Sequence, residues 1–200
     1  MIGGLTARVW RAAANAARQT RRDTDDDAPS THDGPYGAWT DHVIPDDRSQ
    51  WQRPVARCFD YWQGLCRPGR LPGRPDIWPG DMLAFLPQVW LLDVVQAPLR
   101  FRYRLIGTAE VRVLGRDLTG RWLDEIHNET WDDPLVADRL RFIAETGQPT
   151  WARTPVLWGP ERSHQIIENC LLPLARDGAT VDMILACSAL CGADGKPVRF

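Results

Sequence analysis

Two hundred residues, 44% of them apolar and ten of them tryptophan, suit one domain with extensions and exclude a chain disordered throughout. A formal net charge of −2 supplies no overall field for nucleic acid or an anionic membrane. The five cysteines (Cys58, Cys66, Cys170, Cys187 and Cys191) are odd in number and lack zinc-ribbon spacing, so they read as reduced thiols, mostly in a core.

Residues 1–22 carry Arg8, Arg11, Arg18, Arg21 and Arg22 and no acid. Arg8 and Arg11 interrupt the apolar run that a secretory signal needs, and no window reaches the ~18 apolar residues of a membrane span. A frayed, solvated N-terminal helix is favoured over a basic amphipathic helix on a membrane surface. Residues 23–50 contain DTDDDAPSTHDGPYG, acidic and then rich in Pro and Gly, and read as a disordered linker that folding does not need. The domain proper is expected over 51–190, with 191–200 as a tail.

WQRPVARCFDYWQGLC has helical spacing at Val55, Phe59, Trp62 and Leu65, and Pro54 is tolerable in the first turn. Tyr61 and Trp62 stand about 100° apart on that helix, so they cannot both enter one core. They are the candidate partner-binding pair, for another protein or a second copy. RPGRLPGRP ends the helix, and one or two helical turns are expected between Pro79 and Leu86. QVWLLDVV at 88–95 has the character of a buried strand. RFRYRLIG at 100–107 alternates, with Phe101, Tyr103 and Leu105 directed at the helices and Arg100, Arg102 and Arg104 opposite. These two strands form a hairpin.

TAEVRVLG predicts a short helix, RDLTGR turns, and 122–126 another helical turn. Residues 134–146 are amphipathic: Leu135, Val136, Leu140 and Ile143 share a face while Asp138, Arg141 and Glu145 face out. Pro134 and Gly147 punctuate its ends. Strands follow at 150–158, 164–174 and 181–190, with ARDGAT turning between the last two.

Little in this order points to catalysis. His164 and Cys170, six apart on one strand, would stand about 20 Å apart and share no proton. Ser163 and Ser188 lack a nucleophile-elbow context, and no phosphate-binding glycine loop appears. His127 among Glu125, Glu129, Asp132 and Asp133 reads as a solvated loop sooner than a cation site. No metal site is assigned. Arg100 and Arg102 read as a solvated stripe paired with acids such as Asp93 or Glu168. Trp90, Trp122 and Trp151 read first as core, although Trp90 and Trp122 can also line a pocket.

Four stretches taken together carry a resemblance: DYWQGLCRPGRLPGRPDIWPGDMLAFLPQVWLLDVV, RFRYRLIGT, GRDLTGRWLDEI, and ENCLLPLARDG followed by VDMILAC. In this order they resemble a bacterial PAS-domain family of about two-hundred-residue, mostly alphaproteobacterial stand-alone proteins. The resemblance implies an α+β fold: a five-stranded antiparallel sheet with helices over one face, plus an N-terminal helix. It also implies a cytoplasmic sensory or adaptor module in signal transduction, and not an enzyme. A small ligand would sit between sheet and helices, with Trp90, Tyr103, Arg104, Trp122 and Leu140 as candidate lining. Arg104 belongs to the motif RFRYRLIGT and serves there as a ligand contact or a structural ion pair.

The cofactor is left unknown. Asp117 and Leu118 stand where photoactive flavin domains have asparagine and the adduct-forming cysteine, and 134–146 lacks the histidine of haem sensors, so both groups are disfavoured. A protein partner or self-association is expected and nucleic acid is not. The competing readings are a structural protein–protein module without ligand and, behind it, an uncharacterised enzyme.

Overall fold

The structure, a computed structural model, describes residues 44, 45, 47–130, 134–156, 165–192 and 196–198, leaving aside the side chains of 127–130, 134 and 135. The expectations for 1–22, for most of 23–50, for His164 and its neighbours, and for Asp132 and Asp133 lie outside the described residues, as do those for the His127 and Glu129 side chains.

Helix α1 (Arg53–Leu65) opens the domain with Pro54 in its first turn, where a missing N–H costs nothing. Three short 3-10 turns follow, Arg74–Asp76, Pro79–Met82 and Leu86–Gln88. Strands β1 (Val89–Gln96) and β2 (Leu99–Ile106) form a hairpin. Helices α2 (Thr108–Leu114), α3 (Leu123–Thr130) and α4 (Pro134–Thr146) come next. β3 (Thr150–Pro155), β4 (Ile166–Leu174) and β5 (Met183–Cys191) complete one antiparallel sheet in the order β2-β1-β5-β4-β3.

Pairing register sorts the side chains into two faces. Glu168, Cys170 and Leu172 of β4 share a face with Leu185, Cys187 and Ala189 of β5. This face meets α1: the Gln52 N–H donates to Glu168 Oε1 at 2.7 Å, and the Cys170 thiol lies 3.8 Å from the Val55 carbonyl. The opposite face carries Asn169 and Leu171, and Thr150 beside them on β3. There α4 docks through Arg139, whose Nε donates to Thr150 Oγ1 and whose guanidinium also donates to Asn169 Oδ1, both at 2.6 Å. Every residue of β5 is buried, as expected of a central strand covered on both sides. Helices therefore lie on both faces of the sheet, and α1 occupies the face that the other helices leave.

One expectation of register is corrected. Tyr103 is buried as the alternation requires, but Leu105 is 42% exposed and Ile106, at 8%, takes the inward place. The cause is a bulge in the hairpin: Leu91 faces Leu105 while Leu92 faces Tyr103, which leaves Arg104 as an extra residue. An inserted residue flips every later side chain to the other face. Just beyond the slip, Gly107 brings its backbone against β1, where its N–H donates to the Val89 carbonyl at 2.7 Å. A Cβ there would lie 2.6 Å from the Val89 carbonyl and collide with that of Pro87, so the glycine of LIGT serves close approach.

The bulge has a direct test in urea denaturation. Ile106→Asp should cost at least about 3 kcal/mol, because it buries a carboxylate without a partner. Leu105→Asp should stay within about 1 kcal/mol. The reverse ranking would restore strict alternation through 105.

Candidate functional site

Two of the buried polar residues, Glu110 and Ser188, lie together at one end of the sheet. A cavity of about 80 Å³ is lined there by Glu110 and Val113 of α2, Gln88 before β1, Ile167 of β4, and Ser188 and Leu190 of β5. Gln52 and Pro54 at the start of α1 close another side, and Pro197 and Val198 a third. Such a space exceeds one water many times over but falls well short of the ~300 Å³ of a drug-sized pocket.

Glu110 is the unusual member. It is 9% exposed and has no hydrogen bond or ion pair among the described residues. Burial pushes its carboxyl from 4.5 up to about 8. Its charge also bears on Tyr103, whose phenol is raised by burial first and by Glu110 second, and on Cys187 beneath it. Gln88 Oε1 is likewise buried without a donor. Ser188 Oγ accepts the Trp90 indole N–H at 2.8 Å and keeps its own proton to donate. On the α1 side of the sheet, Glu168 accepts the Gln52 N–H, and burial raises its carboxyl too.

The expected pocket residues are not brought together around this cavity. Trp90 touches it only through Ser188, and its ring lies 5.9 Å from that of Tyr103. Leu140 is fully buried core. Trp122 lies outside β2, where the Arg100 guanidinium stacks on its ring at 4.1 Å and Arg102 at 5.4 Å. Arg104 is exposed and reaches Asp93 at 3.2 Å, so of its two expected roles it fills the ion pair. Asp93 also binds Arg102 at 2.9 Å, while Arg100 pairs with Asp124.

Of the partner-binding pair, Trp62 is core and donates its indole N–H to the Pro173 carbonyl at 2.9 Å. Tyr61 lies against its own chain, its hydroxyl accepting the Trp78 N–H at 2.8 Å and its ring 6.2 Å from that of Phe85. The large apolar side chains that stand in solvent after α1 are instead Trp78, 68% exposed, and Leu83, 72% exposed.

Cys58, Cys170 and Cys187 meet under α1 as buried thiols. Burial raises Cys170 and Cys187. At Cys58 the contact with Cys170 favours thiolate, but the contact with Cys187 and burial outweigh it. Protonated, enclosed thiols of this kind pack and do not attack. Among the described residues no group of three His, Cys, Asp or Glu is placed to hold a metal ion, and no helix is long and apolar enough to cross a membrane.

Strand order, hairpin, short helices and closing meander are those of one fold family, and the family model described as a PAS domain matches residues 51–189. The chain belongs to the PAS-domain family. No match was found among curated proteins or among solved structures. Membership makes the domain a sensory or interaction module of the kind PAS domains supply, with the Glu110 cavity as its candidate site.

Sequence reasoning missed Glu110, Gln88 and the role of Ser188. A signal for Glu110 was present, since it stands three residues before the buried Val113 and so shares its helix face.

The linkage at Glu110 has a definite sign. The unfolded chain ionises this carboxyl from about pH 4.5 upward, while the folded chain keeps the proton to about 8. Stability from the neutral form is therefore complete below 4.5, declines across that window, and is gone above 8. Glu110→Gln should match the wild type near pH 4.5 and exceed it by on the order of a few kcal/mol at pH 8.5. Parallel stability–pH curves from chemical denaturation would refute the buried, unpaired carboxyl.

Proposed function

We propose that this PAS domain is a bacterial, cytoplasmic sensory or adaptor module whose cavity takes a small ligand and whose helix α1 reports occupancy to a protein partner. The observation that carries the reading is that one cavity is lined both by the enclosed Glu110 of α2 and by Gln52 and Pro54 at the start of α1. An occupant touches the interior and the reporting helix together. The Gln52 N–H also holds Glu168 on the far side of the sheet, so a shift of this turn alters a buried hydrogen bond. Coupling of this kind needs only a ligand that favours one seating of α1 over another.

The test is native mass spectrometry of the full chain from its own host, joined to hydrogen exchange. Val113→Phe fills the cavity. It should abolish any retained small molecule and change exchange in residues 52–58 while leaving α4 unaltered. Unchanged exchange at 52–58 would uncouple the cavity from α1 and overturn the reading.

A second reading, an interaction module that needs no ligand, is favoured by the exposed Trp78 and Leu83. Large apolar side chains in solvent mark a contact surface when they form one contiguous patch. Trp78→Ser with Leu83→Ser should then reduce self-association or partner capture in sedimentation velocity, whereas Tyr61→Ala should act only through Trp78. Identical sedimentation of wild type and double variant, alone and with host extract, would remove this reading.

A further inference from the structure

We propose that the cavity beside α2 binds a small organic cation with an alkyl tail and an N–H-bearing head, a primary ammonium or amidinium, whose head pairs with Glu110. The inference rests on the cavity being a ligand site and names the class of its ligand.

Three observations converge on that chemistry. Glu110 is an acid nine-tenths buried, lining the cavity without a partner among the described residues. Among the described residues, none that lines the cavity is cationic. The Gln88 carboxamide, whose buried Oε1 has no donor, can turn either its oxygen or its nitrogen to a ligand. A cationic N–H donor is the strongest match for an enclosed carboxylate.

The remaining walls choose among cations. Val113, Ile167, Leu190 and Val198 pack into one apolar cluster at this end of the sheet. A hydrated metal ion gains nothing from such walls, and one carboxylate with one amide falls short of the six or more oxygens a hard cation takes. An alkyl chain of a few carbons fits both the apolar lining and the size of the cavity.

Proton linkage gives the site a signature. The titratable groups facing Glu110 are Tyr103 on β2 and Cys187 on β5, both held neutral by burial. Below about pH 8 the Glu110 proton must leave when the cation arrives, so affinity rises with pH to about 8. It stays high until the amine itself loses its charge near about pH 10.

The experiment is calorimetric titration of the full chain with n-propylammonium chloride at pH 6 and pH 8.5. Sodium chloride of equal strength and 1-propanol serve as controls. The wild type should bind propylammonium more tightly at pH 8.5 than at pH 6, and Glu110→Gln should bind at least about tenfold more weakly at pH 8.5. Val113→Phe should lose binding while keeping Glu110, which separates the site from a nonspecific charge effect. Equal affinity of wild type and Glu110→Gln would overturn the proposal. So would equal binding of 1-propanol, although that result leaves a ligand cavity standing. Binding of neither probe at pH 8.5 also overturns it, and the sensory reading then stands or falls on the exchange of residues 52–58.

Discussion

Everything in this domain is arranged around a strand that cannot be left uncovered. β5 buries all nine of its residues, so both faces of the sheet must be roofed at its centre. Antiparallel sheets commonly leave one face to water. Here α4 covers one side through Arg139, and α1 covers the other through Val55, Cys58, Phe59 and Trp62. Without α1 the thiol cluster and Glu168 would meet water, so the helix belongs to the core and is no appendage. A core element that also lines a cavity at its first turn is well placed to turn occupancy into shape.

Much of this plan was legible in the chain. Helix α1, the hairpin, the amphipathic α4 and the closing strands follow from period, from Pro134 and Gly147 as punctuation, and from the β-branched and aromatic run at 88–95. What failed was local. RFRYRL alternates without a flaw up to the apolar pair Leu105-Ile106, yet the strand carries an extra residue at Arg104, because a bulge is set by its partner strand and by the close approach at Gly107. Periodicity within one strand holds no record of the strand beside it. The edge of β2 shows the same limit: the Tyr103 N–H donates to the Arg121 carbonyl and the Gly120 N–H to the Tyr103 carbonyl. Residues that read as plain turn thus shield an open strand edge.

The site was less legible than the fold, for a physical reason. Aromatic residues draw attention as pocket lining, but in a domain this size they are first needed to fill the core, and Trp51, Trp62 and Tyr103 do so. The residues that define the cavity are Glu110, Gln88 and Ser188, from a short helix, a 3-10 turn and a central strand, and nothing in sequence distance joins them. A glutamate on a seven-residue helix with Arg112 beside it looks like surface. Only the packing of α2 against the 3-10 turn at Leu86–Gln88 makes it interior.

Trp51 and Trp151 lie at the other end of this logic. Their rings stack 5.2 Å apart and within 7° of parallel, joining the entry to α1 with strand β3 across about a hundred residues of chain. Two indoles held so close couple their excited states, and where their in-plane transition dipoles are twisted the coupled transitions give paired ultraviolet dichroism bands of opposite sign. That optical couplet weakens as the rings part or turn relative to each other. The protein thus carries an intrinsic gauge of whether the start of α1 is seated, readable in dilute solution without a label.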